Sequence, residues 1–546
     1  MWNRSSMVVW DFSQNASGAY ISDPCYDIKA RTPWQGLKCE GENISQSCDS
    51  QVCHVTGIEF FFFGLFGQLP TEISKVPYLK SLVIVANGLY GELPASLGDL
   101  TGLRNIELMY NMLSSTIPDS FSRLVNLSAL VLWENQLTGH IPDSLGELEN
   151  LITFDVVSNQ FSGPLPTSVS KLKKLQTLWL SNNGLSGNIP TEMGEASNLV
   201  YLGLDDNMVT GAIPSELGKL SKLKSFEIRN NLLSGSLPAE ISGWVNLKSI
   251  WLSTNDLTGC LPPLGSLVLL ETLSLSENKF SCGIPEDVVN LTKLKYLQIN
   301  DNGLTGPIPV ELGNLMLVTS LGLYLNKLTG TIPSSIGSMT SLKYLGLFDN
   351  RLSGSIPSSF GLLEDLIYLG IGSNMLTGSL PLDLCAMINI QTLYSPHNIL
   401  TGTIPYCIGV KNKNISSLTL NDNQLTGQIP RSFGNLSLVN TLGLGSNKFS
   451  GSIPQEVGGM VSLELWDIHS NELTGPLPAE ISELEHLEKL NLAGNLLSGH
   501  ISNMINTSLQ NDVTVLDLSD NILSGSIPRN IFQLPRIETL ALSGMF

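Results

Sequence analysis

Asp205, Asp206 and Glu227 are the residue types that a glycosidase uses as acid, base or nucleophile. That chemistry requires a site that strips water from one carboxyl and leaves the other ionised. His397 and His469 are metal-ligating types, useful only if they converge on one ion. Gly443-Leu-Gly445 begins like a nucleotide loop but lacks the third glycine. Trp133, Trp179 and Trp251, interleaved with Asp205, Glu227 and Arg229, form a different kind of set. Trp and Arg anchor binding surfaces through broad contact and paired charge, without any reaction. Which of these chemistries is open depends on the elements that carry the residues.

From Asn87 to Asn521, asparagines recur at steps of 23 to 26 residues, each closing the phrase L-x-x-L-x-L-x-x-N-x-L-x-G-x-I-P. A period of this size means one unit stacked on copies of itself, and the phrase is the leucine-rich repeat signature. The row that ends on Asn135 shows the parts. Leu130 and Leu132 alternate with outward residues, the period-two mark of a strand, and each strand is expected to pair in parallel with its predecessor. The Asn135 amide can satisfy buried backbone groups of adjoining loops, which predicts a polar ladder through the interior. Gly139 permits a sharp turn and Pro142 stops further pairing. Leu145 and Leu148 then belong to a short return. The predicted fold is an α/β solenoid with a parallel concave β-sheet and a 3₁₀ or short-helical convex side.

The register sorts the chemistry. Positions four, two and one before each Asn are expected to form the open concave face, carrying Tyr110, Trp133, Asp155, Trp179, Asp205, Glu227, Arg229 and Trp251. Large aromatics at such positions suggest a covered surface, so this is the candidate ligand site. Gly322, Gly346 and Gly370 repeat at one position beside Tyr324 and Phe348, a smooth floor where an extended peptide could approach the backbone, continued by Tyr394 and His397. A carboxylate cluster on an open face lacks the desolvation a glycosidase needs. His397 and His469 are three rows apart, ~14 Å by strand spacing, too far to share a metal. No catalytic residue, metal or cofactor is therefore expected.

Composition narrows the partner. The net charge of -19 argues against nucleic acid, since phosphate binding needs a basic face. No stretch reaches the ~18 apolar residues of a membrane span, and Met7 to Trp10 is too short for the core of a secretion signal. The eight cysteines nevertheless fall into local groups, Cys25, Cys39, Cys48 and Cys53, then Cys260 and Cys282, then Cys385 and Cys407, which suggests disulfides and an oxidising compartment. Strand spacing puts Cys260 and Cys282 ~6 Å apart at Cα, within disulfide reach; the offset of Cys385 and Cys407 is larger, so their bridge is less secure. Sequons at Asn3, Asn15, Asn43, Asn126, Asn290, Asn414, Asn435 and Asn506 agree with an extracellular chain whose N-terminal signal lies outside this sequence. Asn126, Asn290 and Asn435 are read as sharing one repeat position, just before the strand.

The L-x-G-x-I-P segment after each Asn resembles the plant-type repeat of receptor-like kinases, receptor-like proteins and polygalacturonase inhibitors, over residues 55–546. That resemblance implies a second small strand per row and a right-handed superhelix. Residues 1–54 resemble the family's N-terminal cap, with Asp23-Pro24-Cys25, Trp34-Gln-Gly36-Leu-Lys-Cys39 and Val55-Thr56-Gly57-Ile58 in the expected order and Met7 to Phe12 as the cap helix. Its four cysteines allow three connectivities, of which proximity favours Cys25–Cys39 and Cys48–Cys53. Phe63 stands in the Asn position of the first row, and burial of Phe60 to Phe63 under the cap explains that run at least as well as ligand binding does. Ser395-Pro396 suggests a bulge, because Pro cannot donate to a ladder. Met545 stands where one more Asn would close a row, so the last repeat is expected to be truncated and the chain a fragment. No kinase motif occurs, and any kinase would lie outside this chain.

The resemblance implies an extracellular ligand-recognition ectodomain, binding a peptide or protein on the concave face, with a possible co-receptor. The acidic and aromatic face would prefer basic residues and apolar anchors in its ligand. The alternative is a secreted inhibitor of a foreign hydrolase, similar to polygalacturonase inhibitors, or a matrix protein.

Overall fold

A computed structural model of the protein describes residues 36–41, 53–501, 504 and 512–544. Most of the expected cap lies outside the described residues, including Met7 to Phe12, Cys25, Cys48 and the sequons at Asn3, Asn15 and Asn43. So do Asn506, Met545 and Phe546. Two compact units, Met1–Leu270 and Glu271–Phe546, are taken in turn.

In the first unit the antiparallel strand Leu37–Gly41 pairs with Cys53–Phe61 and covers its outer edge. Parallel strands then follow one per row: Ser81–Val85, Asn105–Glu107, Ala129–Val131, Thr153–Asp155, Thr177–Trp179, Tyr201–Gly203, Ser225–Glu227 and Ser249–Trp251. Ile106, Leu130, Phe154, Leu178, Leu202, Phe226 and Ile250 are their buried inward residues. Each row thus hides one apolar side chain beneath the next, so burial is continuous although no row has a core of its own.

The asparagine ladder is present. Asn207 Nδ2 donates to the carbonyls of Leu180, Leu204 and Asp205 at 3.1, 3.1 and 3.0 Å, and its Oδ1 accepts from the Leu185 N–H at 2.9 Å. Asn111 and Asn135 repeat the pattern. Simple alternation would aim this asparagine outward. A left-handed residue before it, Tyr110, Glu134, Ser158, Asn182, Asp206, Asn230 or Thr254, with φ between 50 and 57°, breaks the alternation and turns the amide inside.

After the Asn comes the second small strand implied by the L-x-G-x-I-P motif, as in Gln160–Pro164 beside Gly184–Asn188. Gly139 and Gly163 hold φ of 79 and 77° there, where a Cβ would be strained. Pro118, Pro142 and Pro166 then each open a five-residue 3₁₀ turn. Among the described residues most returns are 3₁₀ segments, two are plain turns, and none is an α-helix. Phe61, Phe62 and Phe63 are exposed, which corrects the expectation that they are buried: Phe62 takes the same left-handed turn, with φ of 59°, but Phe63 has no amide to bond the backbone groups that hold an asparagine inside.

The second unit repeats the plan from Thr272–Ser274 to Thr539–Ala541. Ser395-Pro396 does not bulge. Thr392–Tyr394 stays in register with Ser417–Thr419, the Ser395 N–H donates to Thr419 O at 2.8 Å, and Pro396 supplies a carbonyl to Ser373 N at 2.8 Å. The longer step to Asn423 is absorbed in the return, where Asn412 is buried and its Nδ2 donates to Met387 O at 2.8 Å.

Cys385 and Cys407 form a disulfide with Cα atoms 5.9 Å apart. Cys39, Cys260 and Cys282 are also disulfide-bonded, and no described cysteine is free. The sequon residues Asn126, Asn290, Asn414 and Asn435 are exposed. Asn290 and Asn435 end 3₁₀ turns, whereas Asn126 lies beyond the turn Asp119–Arg123, so the three do not share one position.

Candidate ligand-binding face

On the outward side of the first unit's sheet, one column runs in register through Glu107, Val131, Asp155, Trp179, Gly203, Glu227 and Trp251. The column two residues further along carries Met109, Trp133, Val157, Ser181, Asp205 and Arg229. The sequence-predicted residues therefore share one face, though they do not share one role.

Trp179 lies over Gly203. A Cβ at that glycine would come within 1.9 Å of the indole Cε3, so the glycine is the seat that lets the ring lie down. Tyr201 flanks it, with ring centroids 6.2 Å apart. Tyr110 packs edge-on against Trp133 at 4.3 Å and remains 48% exposed. Gly203 and Tyr201 were missed in the sequence; the gap in an otherwise bulky column was the available signal.

Asp205 is not an open carboxylate. It is only 5% exposed, and Arg229 covers it: the Arg229 backbone N–H donates to Oδ1 at 2.6 Å, while Nε and Nη2 donate to Oδ2 at 2.9 and 2.6 Å. The same guanidinium stands 4.9 Å from the Trp251 ring centroid, within cation–π range. The three residues make a closed unit, a carboxylate and an indole holding one cation.

Glu107, Asp155 and Glu227 are half-buried on the same face. Burial pushes all three carboxyls above their ordinary range, to about 6 for Asp155, opposed there by the hydrogen bond from Val157 N–H. Glu59 adds to the shift at Glu107. Glu227 accepts from Ser225 Oγ at 2.7 Å, a bond that opposes its shift. Asp206 is exposed and accepts from Asn230 Nδ2 at 2.7 Å. Asp205, Asp206 and Glu227 thus have three different environments, and Asp205, whose charge adds to the shift at Glu227, is committed to Arg229.

In the second unit the glycine floor is covered. Tyr324 stacks on Phe348 at 4.4 Å and Tyr344 on Tyr368 at 4.5 Å. A Cβ on Gly346 would meet Tyr324 Cδ1 at 2.8 Å, and one on Gly370 would meet Tyr368 Cε1 at 2.7 Å. These glycines make room for rings, so the surface offered to a partner is a panel of aromatics and hydroxyls. Burial raises the titration range of Tyr324, Tyr344, Tyr368 and Tyr394.

Further along the second unit, Tyr394, Pro396, His397, Asn421, Gly443 and Asp467 line a shallow depression of about 310 Å³. Asp467 Oδ1 lies 2.6 Å from His469 Nδ1, and His469 Nε2 lies 3.1 Å from Ser446 Oγ. That order of groups is also found in hydrolase triads, but acyl transfer needs N–H donors for the oxyanion. The Ser446 and Asn447 N–H groups are already given to His469 O and Ser470 O at 2.8 and 3.2 Å. The chain of hydrogen bonds therefore positions side chains. His397 pairs separately with Asp422 at 3.2 Å.

Comparisons with known proteins fit this geometry. The Leucine Rich Repeat family matches residues 126–148, 174–196, 269–291, 293–315, 341–363, 414–436 and 512–534. No curated protein sequence matches the chain. Among solved structures, the plant peptide hormone receptor RGFR1 in complex with RGF2 is 31% identical, over 94% of this chain and 83% of that one, with a TM-score of 0.88. A TDR receptor is 31% identical over 88% of each chain, with a TM-score of 0.80. The Arabidopsis receptor kinase HAESA, in complex with the peptide hormone IDA and the co-receptor SERK1, is 32% identical over 93% of this chain and 92% of that one, with a TM-score of 0.75. Among the described residues no helix is long and apolar enough to cross a membrane. The chain belongs to the leucine-rich repeat ectodomains of plant receptor-like proteins and receptor kinases.

Proposed function

We propose that this chain is an extracellular ligand-recognition ectodomain that binds a peptide along the open face of its strands and passes the signal on through a co-receptor. The observation that carries the reading is the set of partly exposed aromatics on one side of the sheet, Trp179 and Trp251 in one register column and Trp133 in the column beside it, in a chain that shares its fold with receptors solved in complex with peptide hormones. A sheet face without a deep cleft suits an extended chain, which can lay successive side chains against successive rows. The disulfides agree with an oxidising compartment.

The test is photo-crosslinking of the secreted protein with a library of short synthetic peptides. Crosslinks should fall on the strand face and be lost in Trp179→Ala. Crosslinks confined to the 3₁₀ returns, or unchanged by Trp179→Ala, would place recognition elsewhere.

A further inference from the structure

Resting on that reading, we propose that Glu107 and Asp155, with Val131 between them and Trp133 and Trp179 alongside, form a two-seat groove for a peptide carrying two Arg or Lys side chains three residues apart. The first support is a filled seat of the same chemistry nearby. Arg229 is held between the buried carboxylate of Asp205 and the Trp251 ring. Asp155 has a carboxylate in direct register with an indole, Trp179, but makes no ion pair among the described residues. The guanidinium is the component this second seat lacks.

The second support is charge. Along the strands from Asn105–Glu107 to Ser249–Trp251 and the two residues after each, the sole cation is Arg229, which is committed to Asp205. Glu107 and Asp155 are each partly stripped of water, Asp155 with one hydrogen bond from Val157 N–H and neither with a counter-charge among the described residues, and a cation from outside would relieve both. The third support is spacing. Register places Glu107 two rows from Asp155, ~9.6 Å at ~4.8 Å per strand. In an extended polyproline-type chain, residues three apart share a side and are separated by ~9.3 Å. Val131 between the carboxylates, with Trp133 beside it, would take the intervening apolar or small residues.

The probes are two fluorescent synthetic peptides of one composition, otherwise neutral, with two arginines three residues apart or adjacent. Anisotropy with the chain of residues 1–546 should show the spaced isomer binding about tenfold more tightly, as expected for a pair of matched charge contacts. Glu107→Gln and Asp155→Asn, isosteric changes checked for unaltered circular dichroism, should each abolish that preference. Glu134→Gln, on the rim of the same rows, should leave it intact. Equal binding of the two isomers, no binding of either, or a preference that survives both substitutions would overturn the groove. If the isomers bind equally and Trp179→Ala releases both, the groove falls while the peptide-binding reading stands. If crosslinks avoid the sheet altogether, both fall.

Discussion

The Trp179 indole rests on Gly203 so closely that the smallest side chain there would displace it. The contact is cross-row, between neighbours in register on adjacent strands, so the absence of a Cβ in one repeat sets the pose of the ring in the one before. Gly203→Ala should fold, because the obstructing atoms belong to a side chain that can swing away, and should cost no more than ~1–2 kcal/mol. The displaced ring should gain quenching by acrylamide, measured against Trp179→Phe to isolate its signal among 8 tryptophans. Unchanged quenching would show that the ring does not depend on the glycine.

Asp155 gives a pH signature of definite sign. Burial lifts its carboxyl from 3.8 to about 6, so the folded chain holds this proton more tightly than the unfolded chain. Stability from this group therefore falls as pH rises from about 4 to about 6, and the cost persists above that range. Asp155→Asn should melt a few degrees above the parent at pH 7.5 and level with it below pH 4, by differential scanning calorimetry. Binding of a cation at Asp155 should release a proton near pH 6, and a buffer-dependent binding enthalpy is the check.

The ladder asparagines can be tested one row at a time. Asn207→Ala would leave Leu185 N–H without its acceptor and Leu180 O without its cross-row donor in a buried stripe. Leu180 O keeps the Asn183 Nδ2 donor at 3.1 Å, so one buried group is stranded and the loss should be ~1–3 kcal/mol. Repeat arrays need not unfold in one step, so the sharper readout is local: hydrogen exchange at Leu185 should accelerate well beyond that in rows several repeats away.

Much of this was legible beforehand because the repeat fixes register. Leu130 and Leu132 inside, Asn135 at the turn and Trp133 outside follow from counting, as does the sheet that carries Trp179 beside Asp155. What counting could not reach is what neighbouring rows do to one another. Asp205 counts as outward, yet Arg229 of the next row folds back and buries it. Gly346 and Gly370 read as bare backbone, yet rings from their own and adjoining strands cover them. Pro396 looked like a break, but at its position the ladder asks the residue for a carbonyl and makes no use of an N–H. The left-handed residue before each Asn was equally hidden, since Tyr, Glu, Ser and Asp all occupy it and only the inward amide reveals the need.

Arg229 and Asp205 supply the last prediction, and it separates a structural ion pair from a ligand contact. Asp205 is 5% exposed, so Arg229→Ala would strand a desolvated carboxylate; breaking a buried pair this way costs ~3–5 kcal/mol, and ~2 is expected here because the guanidinium is partly in water. Arg229→Lys should recover only part, since one ammonium cannot repeat the Nε and Nη2 contacts and the stacking on Trp251. Adding Asp205→Asn to Arg229→Ala should restore most of the loss, because the stranded charge disappears. A double-mutant cycle in guanidinium chloride measures the coupling. A near-zero coupling energy would mean that the pair is ornamental and that Arg229 is free to meet a ligand. A large one leaves Glu107, Asp155 and Glu227 as the carboxylates on this face still open to a partner's cations.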